Sequence, residues 1–205
     1  MAIPRVFAFD QDATGERHAL GPNFIDFKVL TRETGGGLFI IENVCHEKGG
    51  PPLHVHPDQD EWFYSVEGEF AFEVGGARST LKRGDCILGP RGVPHAWAFT
   101  RGDVGRLLIA FTPAGKMEAF FREITKPNPA LLTDPAVWLA HGMELLGPPI
   151  DRSLFGKETQ RRFRGGCFFV GHFRICQLAA DVTCYRQRRY EKADKGSHRA
   201  IRKEH

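Results

Sequence analysis

The sequence predicts an all-β fold, a small sandwich or barrel, followed by two helices and a basic extension. Three observations predict it. From residue 5 to about residue 112, short strand-like runs recur at near-regular spacing with turn residues between them. The 205-residue chain holds 23 Gly and 13 Pro, the turn formers that a many-stranded protein needs. Helical periodicity begins only after residue 115.

The elements follow in order. "FIDFKVLTRE" (24–33) alternates apolar and polar residues and breaks at Gly35-Gly36-Gly37. "LFIIENVCHE" (38–47) reads as a strand that ends at "KGGPP". Residues 61–85 give two strands joined at Glu67-Gly68-Glu69, with a turn at Gly75-Gly76. "CILGP" is a brief strand before the Pro90–Pro94 turn, and "HAWAFT" and "GRLLIAFTP" close the series. Next comes "KMEAFFREI" (116–124), with Met117, Phe120, Phe121 and Ile124 on one helical face. A second helix opens with Asp134 as N-cap and Pro135 at the first helical position. Ala136, Leu139, Ala140 and Met143 are its expected buried face, and Gly147-Pro148-Pro149 marks its end. The expected organisation is a β-domain over 1–114, helices packed on it over 115–150, and an extension over 151–205.

Composition narrows the class. Apolar residues make up 41% and charged residues 26%, the balance of a soluble globular chain. The opening "MAIPRVFAFDQDATG" lacks the pattern of a secretory signal, and no run approaches the ~20 apolar residues of a membrane span. The five cysteines form no C-x-x-C pair and are odd in number, which disfavours a zinc ribbon or a disulfide framework. A reducing cytoplasm is the expected setting. Cys86 reads as a buried strand residue. His18, His46 and His141 have no matching partners and read as surface or packing residues.

Charge is unevenly spread. Residues 152–205 hold 14 of the 28 Lys and Arg but only 5 of the 25 Asp and Glu, so an acidic body carries a basic tail. Its interleaved Tyr and Phe fit a nucleic-acid reading, but it has no recognisable motif, and its one apolar patch is interrupted by His172 and Arg174. The expectation is a poorly ordered or loosely packed extension with no nucleic-acid role.

Two stretches carry chemistry. In "PPLHVHPDQDEWFYSVEGEF" (51–70), His54 and His56 are two apart on a strand and face the same side. "PDQD" turns the chain, and Glu61 starts the next strand with its carboxylate able to return to the same region. The two-residue period places Glu61, Phe63 and Ser65 on one face, and Trp62, Tyr64 and Val66 on the other. In "GDCILGPRGVPHAWAF" (84–99), Pro90 and Gly92 make a tight turn and His95 opens a strand that shares a face with Trp97 and Phe99. If that face looks inward, three imidazoles and a carboxylate meet, a donor set suited to a divalent first-row metal with coordination positions to spare. Taken alone, the H-x-H pair is equally a rim feature. Phe63, Trp97 and Phe99 are candidates for a substrate pocket, with ordinary barrel filling as the competing reading.

These two stretches resemble the paired motifs of the cupin superfamily. The first reads Gly49, four residues, His54-x-His56, four residues, Glu61, six residues, Gly68, with the opening glycine one position from its usual spacing. The second reads Gly84, five residues, Pro90-x-Gly92, two residues, His95, three residues, then Phe99 where the family pattern has Asn. "HPDQDEWFY", "GPRGVPHAW" and "FTPAGKMEAFFRE" are similar to bacterial single-domain cupins of the quercetin 2,3-dioxygenase-like kind, over about residues 1–150. The resemblance implies an all-β cupin jelly-roll β-barrel with two C-terminal helices, a homodimer, and one divalent transition metal per chain (Fe, Mn, Ni, Cu, Co or Zn) held by His54, His56, Glu61 and His95. It implies dioxygenation of a flavonol-like or other small enolisable aromatic, with Glu61 also as a base. A metal-dependent sugar or keto isomerase and a non-catalytic small-molecule-binding cupin share the same motifs, because a shared fold hosts several functions.

Overall fold

The computed structural model describes residues 6–151. Its architecture is an antiparallel β-sheet of nine strands curled into a jelly-roll barrel, with two helices following. The strands are β1 (His18–Leu20), β2 (Asn23–Val29), β3 (Phe39–Cys45), β4 (Pro52–Val55), β5 (Asp60–Val74), β6 (Ala77–Leu81), β7 (Cys86–Gly89), β8 (His95–Thr112) and β9 (Glu144–Pro149). The helices are α1 (Met117–Ile124) and α2 (Pro135–Ala140). The expected basic extension lies outside the described residues.

Two long strands organise the barrel. β8 pairs with β3 through Gly105–Phe111, and with β5 along nearly all of its length. The sequence suggests breaks near Glu67-Gly68-Glu69 and between Thr100 and Gly105, yet β5 and β8 run through both. They bend instead: the β5–β8 register shifts three times between Ser65 and Phe70. Such irregularities let a strand turn a barrel corner. The corner is built around the Phe99 ring. A Cβ on Gly68 would lie 2.8 Å from that ring, and one on Gly105 2.5 Å from it, so both positions require glycine.

The frequent phenylalanines fill the interior. Phe27, Phe39, Phe63, Phe70, Phe72, Phe99 and Phe111 are all fully buried. Each contributes about 1.5–3 kcal/mol by leaving water. Along β5 the predicted alternation holds: Glu61, Phe63 and Ser65 are buried, while Trp62 is exposed and Tyr64 and Val66 are half-buried. One outward row, Leu88–Trp62–Ala110–Ile40, runs in register across β7, β5, β8 and β3. Trp62 (38%) and Leu88 (49%) in this row keep large exposed areas. Cys86 lies on the same side and is exposed, which corrects the expectation of a buried thiol. β7 is an edge strand covered on its inner side only, so every second residue reaches solvent.

Beyond the barrel, α1 buries the four residues its periodicity marked: Met117, Phe120, Phe121 and Ile124. α2 starts as expected, with the Asp134 side chain accepting the Ala136 N–H and Pro135 in the first turn. Its buried face differs. Ala136, Leu139 and Ala140 are exposed, and Trp138 is the buried residue. A helix of six residues makes under two turns, so one large indole decides which side packs. Residues 144–149, which read as a helix end with proline punctuation, form β9 and pair with β4 at the sheet margin. Prolines are tolerated there because an edge strand has one unpaired side.

Candidate metal centre

Three strands deliver the four predicted residues. His54 and His56 come from β4 and the residue just past it, Glu61 from the start of β5, and His95 from the start of β8. His54 and His95 are direct cross-strand partners. All four side chains are buried, and one donor atom from each lies within 4.8 Å of all the others. Nε2 of His95, His56 and His54 stand 2.8, 3.1 and 4.0 Å from Glu61 Oε2.

The outer nitrogen of each ring fixes what the inner one can do. His54 Nδ1 is 2.7 Å from the Pro52 carbonyl, His95 Nδ1 is 3.0 Å from the Val93 carbonyl, and His56 Nδ1 is 2.8 Å from Gln59 Oε1. Each partner is an acceptor, so each Nδ1 carries a hydrogen and donates it. The Nε2 lone pairs are left facing the Glu61 carboxylate. Three neutral imidazoles and a carboxylate are then all acceptors aimed at one point, an arrangement that repels unless a cation sits in it. His56 Nε2 shows this: it is buried without a hydrogen-bond partner despite its 3.1 Å approach to the carboxylate. Donor atoms within 4.8 Å of one another are close enough to be gathered by one first-row ion, whose metal–nitrogen bonds are about 2.0–2.1 Å. The residues present fit a metal ion.

Electrostatics follow the same logic. Burial first, then the neighbouring His95 and His56, push His54 down to about 3, so its ring stays neutral. Burial alone would raise the Glu61 carboxyl, but His56 and His95 outweigh it and hold the group well below the usual carboxylate range. Burial works against the charged form of His95, yet the hydrogen bond and charge of Glu61 raise it above an ordinary imidazole.

A cavity of about 810 Å³ opens onto the cluster and is lined mainly by apolar groups, among them Ile109, Phe111, Phe120, Phe121 and Trp138. α1 and α2 form its roof. Trp138 lies edge-on to His54 with ring centroids 4.9 Å apart. Of the aromatic residues singled out in the sequence, Trp97 lines this cavity. Phe63 and Phe99 are among the fully buried side chains of the wall: Phe63 packs between Phe72 and His95, and Phe99 between Phe70 and the glycine corner. Sequence reasoning missed Gln59, read there as part of a turn, and Trp138, which was not among the residues expected on the buried face of the second helix. For Gln59 the only available signal was its place between the H-x-H pair and the glutamate.

Comparison with known proteins agrees with this picture. A family model described as a cupin domain matches residues 44–111, the stretch that carries all four clustered residues. The quercetin 2,3-dioxygenase of Bacillus subtilis (strain 168) is 30% identical over 114 residues, which are 55% of this chain and 33% of that protein. The chain therefore spans about a third of that relative's length. Among solved structures, an RmlC-like cupin from Shewanella frigidimarina is 23% identical, over 57% of this chain and 96% of that one, with a TM-score of 0.47. KdgF from Halomonas sp. is 19% identical, over 53% of this chain and 94% of that one, with a TM-score of 0.44. Residues 44–111 of this chain thus form a cupin domain. Among the described residues, no helix is long and apolar enough to cross a membrane.

Proposed function

We propose that the protein is a metal-dependent dioxygenase acting on a flavonol-like or other small enolisable aromatic compound. The observation that carries this reading is the convergence of His54, His56, Glu61 and His95, four buried acceptors, at the inner end of an apolar cavity. These residues would hold one divalent transition metal, which when bound supplies Lewis acidity toward a substrate oxygen and a place for O₂. The apolar walls exclude water and favour flat ligands, and a volume of about 810 Å³ falls in the range of small-molecule sites. Trp97, Phe63 and Phe99 define the shape and rigidity of the wall on the barrel side. Glu61, kept ionised by its two histidine neighbours, is positioned to take a proton at Oε2 from an enolic hydroxyl. The 30% identity to a quercetin 2,3-dioxygenase supports the choice of reaction.

The reading extends to assembly and setting. The outward apolar row around Trp62 and Leu88 supports self-association as a homodimer, and the two unpaired described cysteines, Cys45 and Cys86, suit a reducing cytoplasm.

The test is oxygen consumption by metal-loaded protein across a flavonol panel, with products identified by mass. Uptake of O₂ with ring-cleaved product supports the proposal. Turnover of a sugar or keto compound under strict anaerobiosis, or ligand-dependent thermal stabilisation with no product from any panel member, would overturn it.

A further inference from the structure

We propose that Gln59 is a positioning residue: it locks His56 in the Nδ1–H tautomer, with the Nε2 lone pair on the metal position, and ties that ligand to the root of the helix that roofs the cavity. The inference rests on the reading of the four-residue cluster as a metal site.

Three features carry it. First, the Gln59 amide has only one orientation. Its Nε2 donates to two backbone carbonyls, of Pro113 at 2.6 Å and of Ala114 at 2.9 Å. A flipped amide would press its oxygen against both, in a side chain only 7% exposed. Oε1 therefore faces His56 Nδ1 at 2.8 Å and obliges that nitrogen to carry the hydrogen. Second, His56 alone depends on a side chain for this. His54 and His95 donate to main-chain carbonyls two residues before them, which no substitution removes. Third, the carbonyls that hold Gln59 lead directly into α1, whose Met117, Phe120, Phe121 and Ile124 line the cavity. Gly115, at φ +54°, gives the amide its room: a Cβ there would sit 3.1 Å from Gln59 Nε2. One amide thus joins a ligand at the cavity floor to the start of its roof.

Without that acceptor, the His56 proton moves to Nε2, where Glu61 Oε2 at 3.1 Å receives it. An incoming metal ion must then displace a hydrogen-bonded proton. Outer partners of metal-bound histidines typically set affinity by about 10–100-fold.

The test uses the full chain with ¹⁵N-labelled histidine, stripped of metal and then titrated with Co(II). In the wild type, long-range ¹H–¹⁵N spectra are expected to report Nδ1–H for His54, His56 and His95. Gln59→Leu should switch His56 alone to Nε2–H, with the other two rings as internal controls, and weaken Co(II) binding about 10–100-fold. Gln59→Glu separates the two roles. Its carboxylate still accepts from Nδ1, so the tautomer stays, but it faces the Pro113 and Ala114 carbonyls, so backbone amides in 114–124 should exchange faster. If Gln59→Leu does not fold, Gln59→Glu decides by these two readouts. An unchanged His56 tautomer and Co(II) affinity in Gln59→Leu, or unchanged exchange in Gln59→Glu, would overturn the proposal. A wild type that binds no Co(II) refutes the metal reading, while the tautomer of the metal-free variant still decides the role of Gln59.

Discussion

Replacing Phe99 with Asn, the residue the cupin pattern places there, should destabilise this protein severely. Phe99 is fully buried, its ring packs at 5.4 Å from that of Phe70, and the Lys48 ammonium lies 3.6 Å above it. Removing a buried aromatic side chain costs about 3–5 kcal/mol when the cavity cannot collapse. Collapse is hard here, because the surrounding wall is backbone at Gly68 and Gly105 rather than mobile side chains. The lost cation–π contact adds about 0.5–1 kcal/mol, and a buried amide left without partners about 1–3 kcal/mol. Allowing for partial relaxation, the expected total is about 4–6 kcal/mol, a large share of the roughly 5–15 kcal/mol that holds a domain folded. Urea unfolding followed by circular dichroism measures it, beside Phe99→Leu, which keeps an apolar group and should lose only about 1–2 kcal/mol. An Asn variant within about 1 kcal/mol of wild type would refute the account of the corner, since surface-like sites behave that way.

Three further predictions follow from the same geometry. Glu61→Gln keeps the shape of the side chain but removes the one carboxylate among the four clustered residues, so bound metal after purification should fall to background while the far-ultraviolet spectrum is unchanged. In chelator-treated protein, His54 is held down to about 3 when folded and titrates near ~6.5 when unfolded, so the unfolded chain binds the proton more readily. Its contribution is complete above ~6.5 and is lost as pH falls toward the folded value, on the order of 4 kcal/mol, and a His54→Gln variant should show a correspondingly flatter pH dependence of the urea midpoint. Trp138→Ala should cost about 3–5 kcal/mol in thermal or urea unfolding and speed metal loss to a chelator, because the indole, 3% exposed, covers His54.

The four-residue cluster was legible in the sequence because strand geometry is local. His54 and His56 share a face by the two-residue period, and Glu61 re-enters after a short turn, so only His95 had to be brought from a distance. The α1 face was legible for the same reason, with four apolar residues at helical spacing. What stayed hidden depends on partners remote in sequence. "GPP" reads as punctuation until β4 is placed beside it. Trp138 outweighs Leu139 only because His54 and Phe120 offer it a pocket. Phe99 looked like a pocket residue because no periodicity reveals that Gly68 and Gly105 close around it. Gln59 sits in a turn rich in Asp and Pro, and nothing local says that its amide spans from His56 to Pro113 and Ala114.

The central claim is tested most directly by elemental analysis of the full chain, as purified and after anaerobic loading with divalent first-row ions, beside a His54→Ala, His95→Ala double variant that is confirmed to be folded. The account predicts a stoichiometric divalent metal in the wild type and background levels in the variant. A wild type that retains no ion under any loading condition, or a double variant that retains as much as the wild type, would contradict it.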